Sequence, residues 1–158
     1  MSKEINTFNN AVKYISADIR ALLLELQDEY KENIEEIRLR NNCPLNIFSR
    51  GRDYFINKSG KVLNQCSGAL IINQKQIHNT FQLITNHSVY AYSEEIKKGF
   101  VTINGGHRVG LGGKVIYGAN GIESMSNISS LNIRIAREKK GISNHILSFL
   151  INRYGNFF

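Results

Sequence analysis

The chain has 158 residues, 42% of them hydrophobic and 21% charged, with 13 Gly, one Pro, two Cys and a net charge of +7. This excludes collagen, low-complexity and wholesale-disorder classes, and the length suffices for a real core without disulfide or metal staples. No apolar run approaches the ~18 residues of a membrane span, and Met1-Ser2-Lys3-Glu4 lacks the layout of a secretory signal, so a soluble, intracellular chain is expected.

Residues 7–31 predict one amphipathic helix. Phe8, Val12, Ile15, Ile19, Leu22, Leu23 and Leu26 follow 3–4 spacing, and Asn6 or Thr7 can cap the start. The acidic residues Asp28, Glu29, Glu32, Glu35 and Glu36 then fall at or beyond its end. That is the wrong sign for the helix dipole, so fraying is expected near 28–33. The apolar stripe packs on its own domain or on a neighbouring protein.

A period-two pattern follows. Glu36-Ile37-Arg38-Leu39-Arg40 predicts a strand with Ile37 and Leu39 inward. Asn41 to Pro44 is a turn, 45–49 a strand, Arg50 to Asp53 a turn, 54–57 a strand, Ser59-Gly60 a turn and Val62-Leu63 a short strand. Residues 74–86 predict a helix capped by Asn73, and 89–98 a second, capped by Ser88 and closed by Gly99. Glu94 is expected to pair with Lys98. A strand at 100–103, a Gly105-Gly106 turn, a strand at 107–117, an Asn120-Gly121 turn, a strand at 129–136 and a helix at 142–151 complete the order. The expected class is α+β, a mostly antiparallel sheet covered by helices. The expected division is an N-terminal amphipathic helix in 1–32 and an α+β domain over 33–158.

Residues 1–36 hold four basic and eight acidic side chains, whereas 97–140 hold eight and two. An acidic front and a basic later half create a field that attracts anions. The stretch from Gly105 to Lys114 is not a phosphate loop, because Gly113-Lys114 is followed by Val115 where a Ser or Thr is required and Arg108 stands where the first Gly belongs. Its alternation places Val109, Leu111, Val115 and Tyr117 on a core face. Arg108, Gly110, Gly112 and Lys114 fall on the other, a glycine floor that suits either a bulged strand or a close-approaching ligand. If the last strand pairs with this one, Arg134 joins Arg108 and Lys114 on one open cationic face, and guanidinium forks match phosphate oxygens. Cys43 and Cys66 read as free thiols. His78, His87, His107 and His145 read as structural or surface residues, and no nucleophile–base pair is suggested.

Several segments resemble the stage III sporulation protein AA family. They are Glu36 to Arg40 with Pro44-Leu45, Ser88-Val89-Tyr90-Ala91-Tyr92, Glu95-Ile96, Gly99-Phe100, Gly105 to Gly110, Gly113-Lys114-Val115, and above all Asn127 to Glu138 with Lys140-Gly141. The resemblance covers nearly the whole chain. It implies an ATPase of endospore formers, similar to type II and type IV secretion motors. Such a protein is a homo-hexamer in the mother cell, peripheral to the membrane facing the forespore and docked to membrane proteins of its operon. It energises or assembles a channel between the two cells. The chain is then the PAS-like N-terminal regulatory and assembly domain. It partners its own C-terminal ATPase domain, whose P-loop is absent here. ATP and Mg belong to the full-length protein, and none is expected to be held by this stretch alone. Arg134, Arg137 and Arg108 are the implied contacts to ATP phosphates. No nucleic acid is expected. The alternative is a free-standing basic nucleic-acid-binding module using Tyr90, Tyr92 and Tyr117 as stacking groups, and a small enzyme at the 105–114 loop is a third reading.

Overall fold

In the computed structural model of the protein, residues 1–119 and 121–137 are described, those from 121 to 126 by backbone alone. The N-terminal segment is three helices rather than one: α1 (Lys3–Val12), α2 (Ala17–Leu24) and α3 (Asp28–Asn33). Ser2, not Asn6 or Thr7, caps α1, its Oγ accepting the Ile5 amide at 3.2 Å. The chain breaks at Ser16 because the amide of that residue donates to Thr80 Oγ1 at 3.0 Å instead of continuing a helix. Ser16 Oγ in turn donates to Asp18 Oδ1 at 2.8 Å. Burial works to raise the Asp18 carboxyl, but donors from Gln76, Ser16 and the Ile19 amide outweigh it and hold the group below its usual range. A second break puts Asp28 and Glu29 into the first turn of α3. There the helix dipole favours them, so the expected conflict of sign disappears. Phe8, Val12, Ile15, Ile19, Leu23 and Leu26 are all buried in the common core, so the stripe packs on its own sheet, and only Leu22 lies outside that set.

Among the described residues seven strands form one antiparallel sheet. They are β1 (Ile34–Arg40), β2 (Asn46–Ser49), β3 (Arg52–Ile56), β4 (Val62–Leu63), β5 (Phe100–Ile103), β6 (His107–Gly118) and β7 (Gly121–Arg134), in the order β4-β3-β2-β1-β7-β6-β5. The β2–β3 turn is shorter than expected. Ser49 pairs with Arg52, leaving Arg50 and Gly51 with φ of 52° and 75°, the two positive values a two-residue hairpin needs. The last strand is longer than 129–136, and its pairing with β6 runs out to Gly118↔Gly121. Between Gly112↔Ser130 and Lys114↔Ser126 three residues of β7 oppose one of β6. This bulge, with Asn127 at φ 50°, is held by Gln74, whose Nε2 donates to the Ile128 carbonyl at 2.7 Å.

The helix α4 (Gln74–Ile84) has the expected Asn73 cap, strengthened by a reciprocal bond with Gln76. Residues 89–98 split into a 3₁₀ turn, Val89–Tyr92, and α5 (Ser93–Lys98), and Ser88 makes no side-chain cap. Gly99 closes α5 at φ 86°, as expected. Lys97 rather than Lys98 pairs with Glu94, at 3.3 Å. The predicted helix at 142–151, His145 and Asn120 lie outside the described residues. Ile37, Leu39, Ile47, Val101, Val109, Leu131 and Ile133 point to one side of the sheet and share a core with Phe8, Ile19, Ile77, Phe81 and Ile96 of the helices. Val115 and Tyr117, expected in that core, lie up the β6–β7 arm, where Tyr117 is 75% exposed. Among the described residues no helix is long and apolar enough to cross a membrane, and both cysteines are free.

Candidate anion-binding face

Because side chains alternate across strands, the face opposite the core is fixed by register. Glu36 pairs with Arg134 and Arg134 with Arg108, giving one row across β1, β7 and β6. Arg38, Asn132 and Gly110 form the next row, and Arg40, Ser130 and Gly112 a third. The sequence reading of an open face shared by Arg108 and Arg134 therefore holds in the register. Lys114 stands six residues up β6, beyond the bulge and about 20 Å along the strand, so it is not part of the same row.

Glu36 anchors this face. Its side chain is 14% exposed and accepts from Arg38 at 2.9 Å and from Arg134 Nε at 3.1 Å. Asn132 Nδ2 adds a longer contact at 3.4 Å. Burial pushes the Glu36 carboxyl up, but the Arg38 and Arg134 bonds overcome it and hold the group below its usual range. Arg38 also reaches Asp53 at 2.9 Å and lies over the Phe48 ring. Arg38 is thus neutralised twice, by Glu36 two residues away on the same strand face and by Asp53, which only the fold brings to it.

Arg134 is different. Its Nε is held by Glu36, while the side chain remains 64% exposed. Arg108 stacks over Phe100 at 4.3 Å and has no carboxylate partner among the described residues. Two guanidinium groups therefore sit directly across a strand pair, where like charges repel. The floor beside them is backbone. A Cβ on Gly112 would strike Ser130 Oγ, so no larger residue fits there without movement.

Arg137 is placed elsewhere. Its Nε and Nη2 donate to the Ile34 carbonyl at 3.2 and 3.0 Å, Nη2 also to the Lys31 carbonyl at 2.6 Å, and Nη1 to the Glu4 carbonyl at 2.8 Å. Burial pushes this guanidinium below its usual range, against the opposing pull of Glu4, Glu35 and Glu32. His107, read from sequence as a structural or surface histidine, is 1% exposed, and its Nδ1 accepts the Ala136 amide at 3.0 Å. His78 and His87 are exposed. Tyr92, a suggested stacking group, packs against the core, whereas Tyr90 is exposed. No three His, Cys, Asp or Glu side chains converge as a metal site among the described residues.

The family model described as "Sporulation stage III, protein AA" matches residues 6–155. The stage III sporulation protein AA of Bacillus subtilis (strain 168) is 34% identical over 142 residues, 90% of this chain and 42% of that protein. The chain thus spans less than half the length of the curated relative it matches. No solved structure matches. A match along nearly the whole chain, with the paired β6 and β7 motifs inside it, makes this chain a member of the sporulation stage III protein AA family.

Proposed function

We propose that the chain is the PAS-like N-terminal regulatory and assembly domain of a sporulation ATPase similar to secretion motors, and that its open face meets the phosphate charge of ATP held by a motor domain elsewhere in the protein. The observation that carries this reading is the Arg108–Arg134 opposition. A folded sheet gains nothing from two adjacent forks of like charge, and a phosphate group between them would relieve the repulsion. Glu36 supports it by holding Nε of Arg134, which leaves the rest of the fork for an anion. ATP would supply the cleavable phosphoanhydride, and Mg ligands would come from outside the described residues. Arg137 fits a positioning role better than direct contact, since its donors are engaged by carbonyls. On this reading the full-length protein is a homo-hexamer in the mother cell, at the membrane facing the forespore. It docks to membrane proteins of its operon and energises or assembles the channel.

The coding sequence beyond Phe158 should encode a Gly-rich loop ending in Lys-Ser or Lys-Thr. Hydrolysis of ATP by that longer protein should depend on Arg134. Turnover unchanged in Arg134→Ala would remove this face from the mechanism. Salt-sensitive binding of DNA by the present chain would replace the reading with a nucleic-acid one.

A further inference from the structure

The structure assigns His107 and Arg137 to a proton-sensitive latch that fixes where the chain leaves the sheet. The last described strand residue is Arg134. Two and three residues later, at Ala136 and Arg137, the chain is held by groups far away in sequence. The Ala136 amide donates to His107 Nδ1 at 3.0 Å. Arg137 donates to carbonyls of Glu4 in α1, Lys31 in α3 and Ile34 in β1. One side chain thus joins two helices and a strand just past the end of β7.

Each half of the latch depends on protonation state or shape. Nδ1 can accept only while it carries no proton, so the ring is the neutral Nε2–H tautomer. Adding a proton turns Nδ1 into a donor facing another donor, the Ala136 N–H. It also adds a positive charge beside Arg137 in a buried place. Burial and then the Arg137 charge both disfavour the protonated ring. The charged groups facing this corner are Lys3 and Glu4 of α1, Glu32 of α3, Glu35 of β1 and Arg137 itself. Glu4, Glu32 and Glu35 act on Arg137, and none is hydrogen-bonded to the imidazole among the described contacts. Gly105 completes the fit, because a Cβ there would lie 2.7 Å from His107 Nε2. Lys31 lies in the last turn of α3, so Arg137 also supplies a donor where helix carbonyls lack partners.

Opening the latch frees residues 135–137 and loosens α1 and α3 from the start of the central strand β1. The test is amide hydrogen exchange by NMR on the 158-residue chain across pH about 5 to about 7.5, either side of the ordinary histidine value. After correction for intrinsic exchange, Ala136 protection should fall about tenfold for each pH unit below that value, until the folded-state value is passed. At every pH Ala136 should be less protected than Ile37 and Leu39, because the latch opens without unfolding the central strands. His107→Asn keeps an acceptor near the Nδ1 position but does not titrate, so Ala136 protection should become independent of pH. If that variant does not fold, the wild-type imidazole ¹⁵N shifts serve instead, and they should titrate together with Ala136 protection. Flat wild-type protection would overturn the latch. So would an equal slope in His107→Asn, imidazole titration out of step with Ala136, or Ala136 protection equal to that of Ile37 and Leu39, which would mean exchange only through global unfolding.

Discussion

Arg108 and Arg134 are direct cross-strand partners in the β6–β7 pair, and Glu36 meets only the second of them. This asymmetry has consequences that can be measured without any ligand. Arg108→Ala should leave stability within about 0.5 kcal/mol of wild type, or slightly raise it, since it relieves repulsion at the loss of one ring contact. Glu36→Ala should cost on the order of 1–3 kcal/mol, because Arg38 and Arg134 lose a shared, mostly buried acceptor. Urea denaturation of the two variants distinguishes these cases. A larger loss from Arg108→Ala than from Glu36→Ala would contradict the arrangement.

Acid should weaken the fold in two stages. His107 is held neutral in the folded state, with its value lowered by burial and then by Arg137. Its contribution is fully present above the ordinary histidine value and is lost as pH falls below it, where the unfolded chain takes up a proton first. Asp18 and Glu36 are also lowered, so their contributions are present above the ordinary carboxylate values, 3.8 and 4.5, and are lost at more acid pH. Thermal melts should fall below pH about 6.5 and fall further in the carboxylate range. A melting point flat from pH about 7 to about 5 would contradict the burial assigned to His107.

Gly112 and Ser130 occupy one space on the open face. Gly112→Ala should destabilise by about 1–3 kcal/mol through overpacking. Ser130→Ala should recover much of that loss, because it removes the hydroxyl and leaves a Cβ at 3.4 Å. Additive effects in this double-mutant cycle would show that the two do not meet.

Thr80 Oγ1 accepts the buried Ser16 amide and donates to the Gln76 carbonyl at 2.8 Å. Thr80→Val keeps the shape and strands the buried Ser16 amide, whereas the Gln76 carbonyl keeps its place in the helical ladder of α4. A loss of about 1–3 kcal/mol is expected from chemical denaturation. A neutral result would mean that Ser16 finds another partner and that Thr80 does not set the α1–α2 break.

The strands were legible where one face is apolar and the other is not. Leu131, Ile133 and Ile135 are inward as their period implies, and the Gly105-Gly106 turn has both glycines at positive φ. The Arg108–Arg134 face followed from that same period once the two strands were paired. The break at Ser16 was hidden because Val12, Ile15 and Ile19 continue a helical spacing across it, and its cause, Thr80, is 64 residues away. The early start of β7 was hidden because 121–127 lacks an alternating apolar pattern. Arg137 is three residues past the end of β7, and only the folded positions of Glu4, Lys31 and Ile34 decide what it binds.

The central claim is that the opposed arginines serve phosphate charge. The most direct measurement is ATP turnover by the longer, motor-bearing protein in Arg108→Ala, Arg134→Ala, the double variant and Lys114→Ala. Arg134→Ala should lower kcat by on the order of 10³, the lower end of the effect of an arginine in other phosphoryl-transfer systems. Little added loss is expected in the double variant, and near-normal turnover in Lys114→Ala, which stands beyond the bulge. Normal turnover in the Arg108 and Arg134 variants, with folding intact, would contradict it.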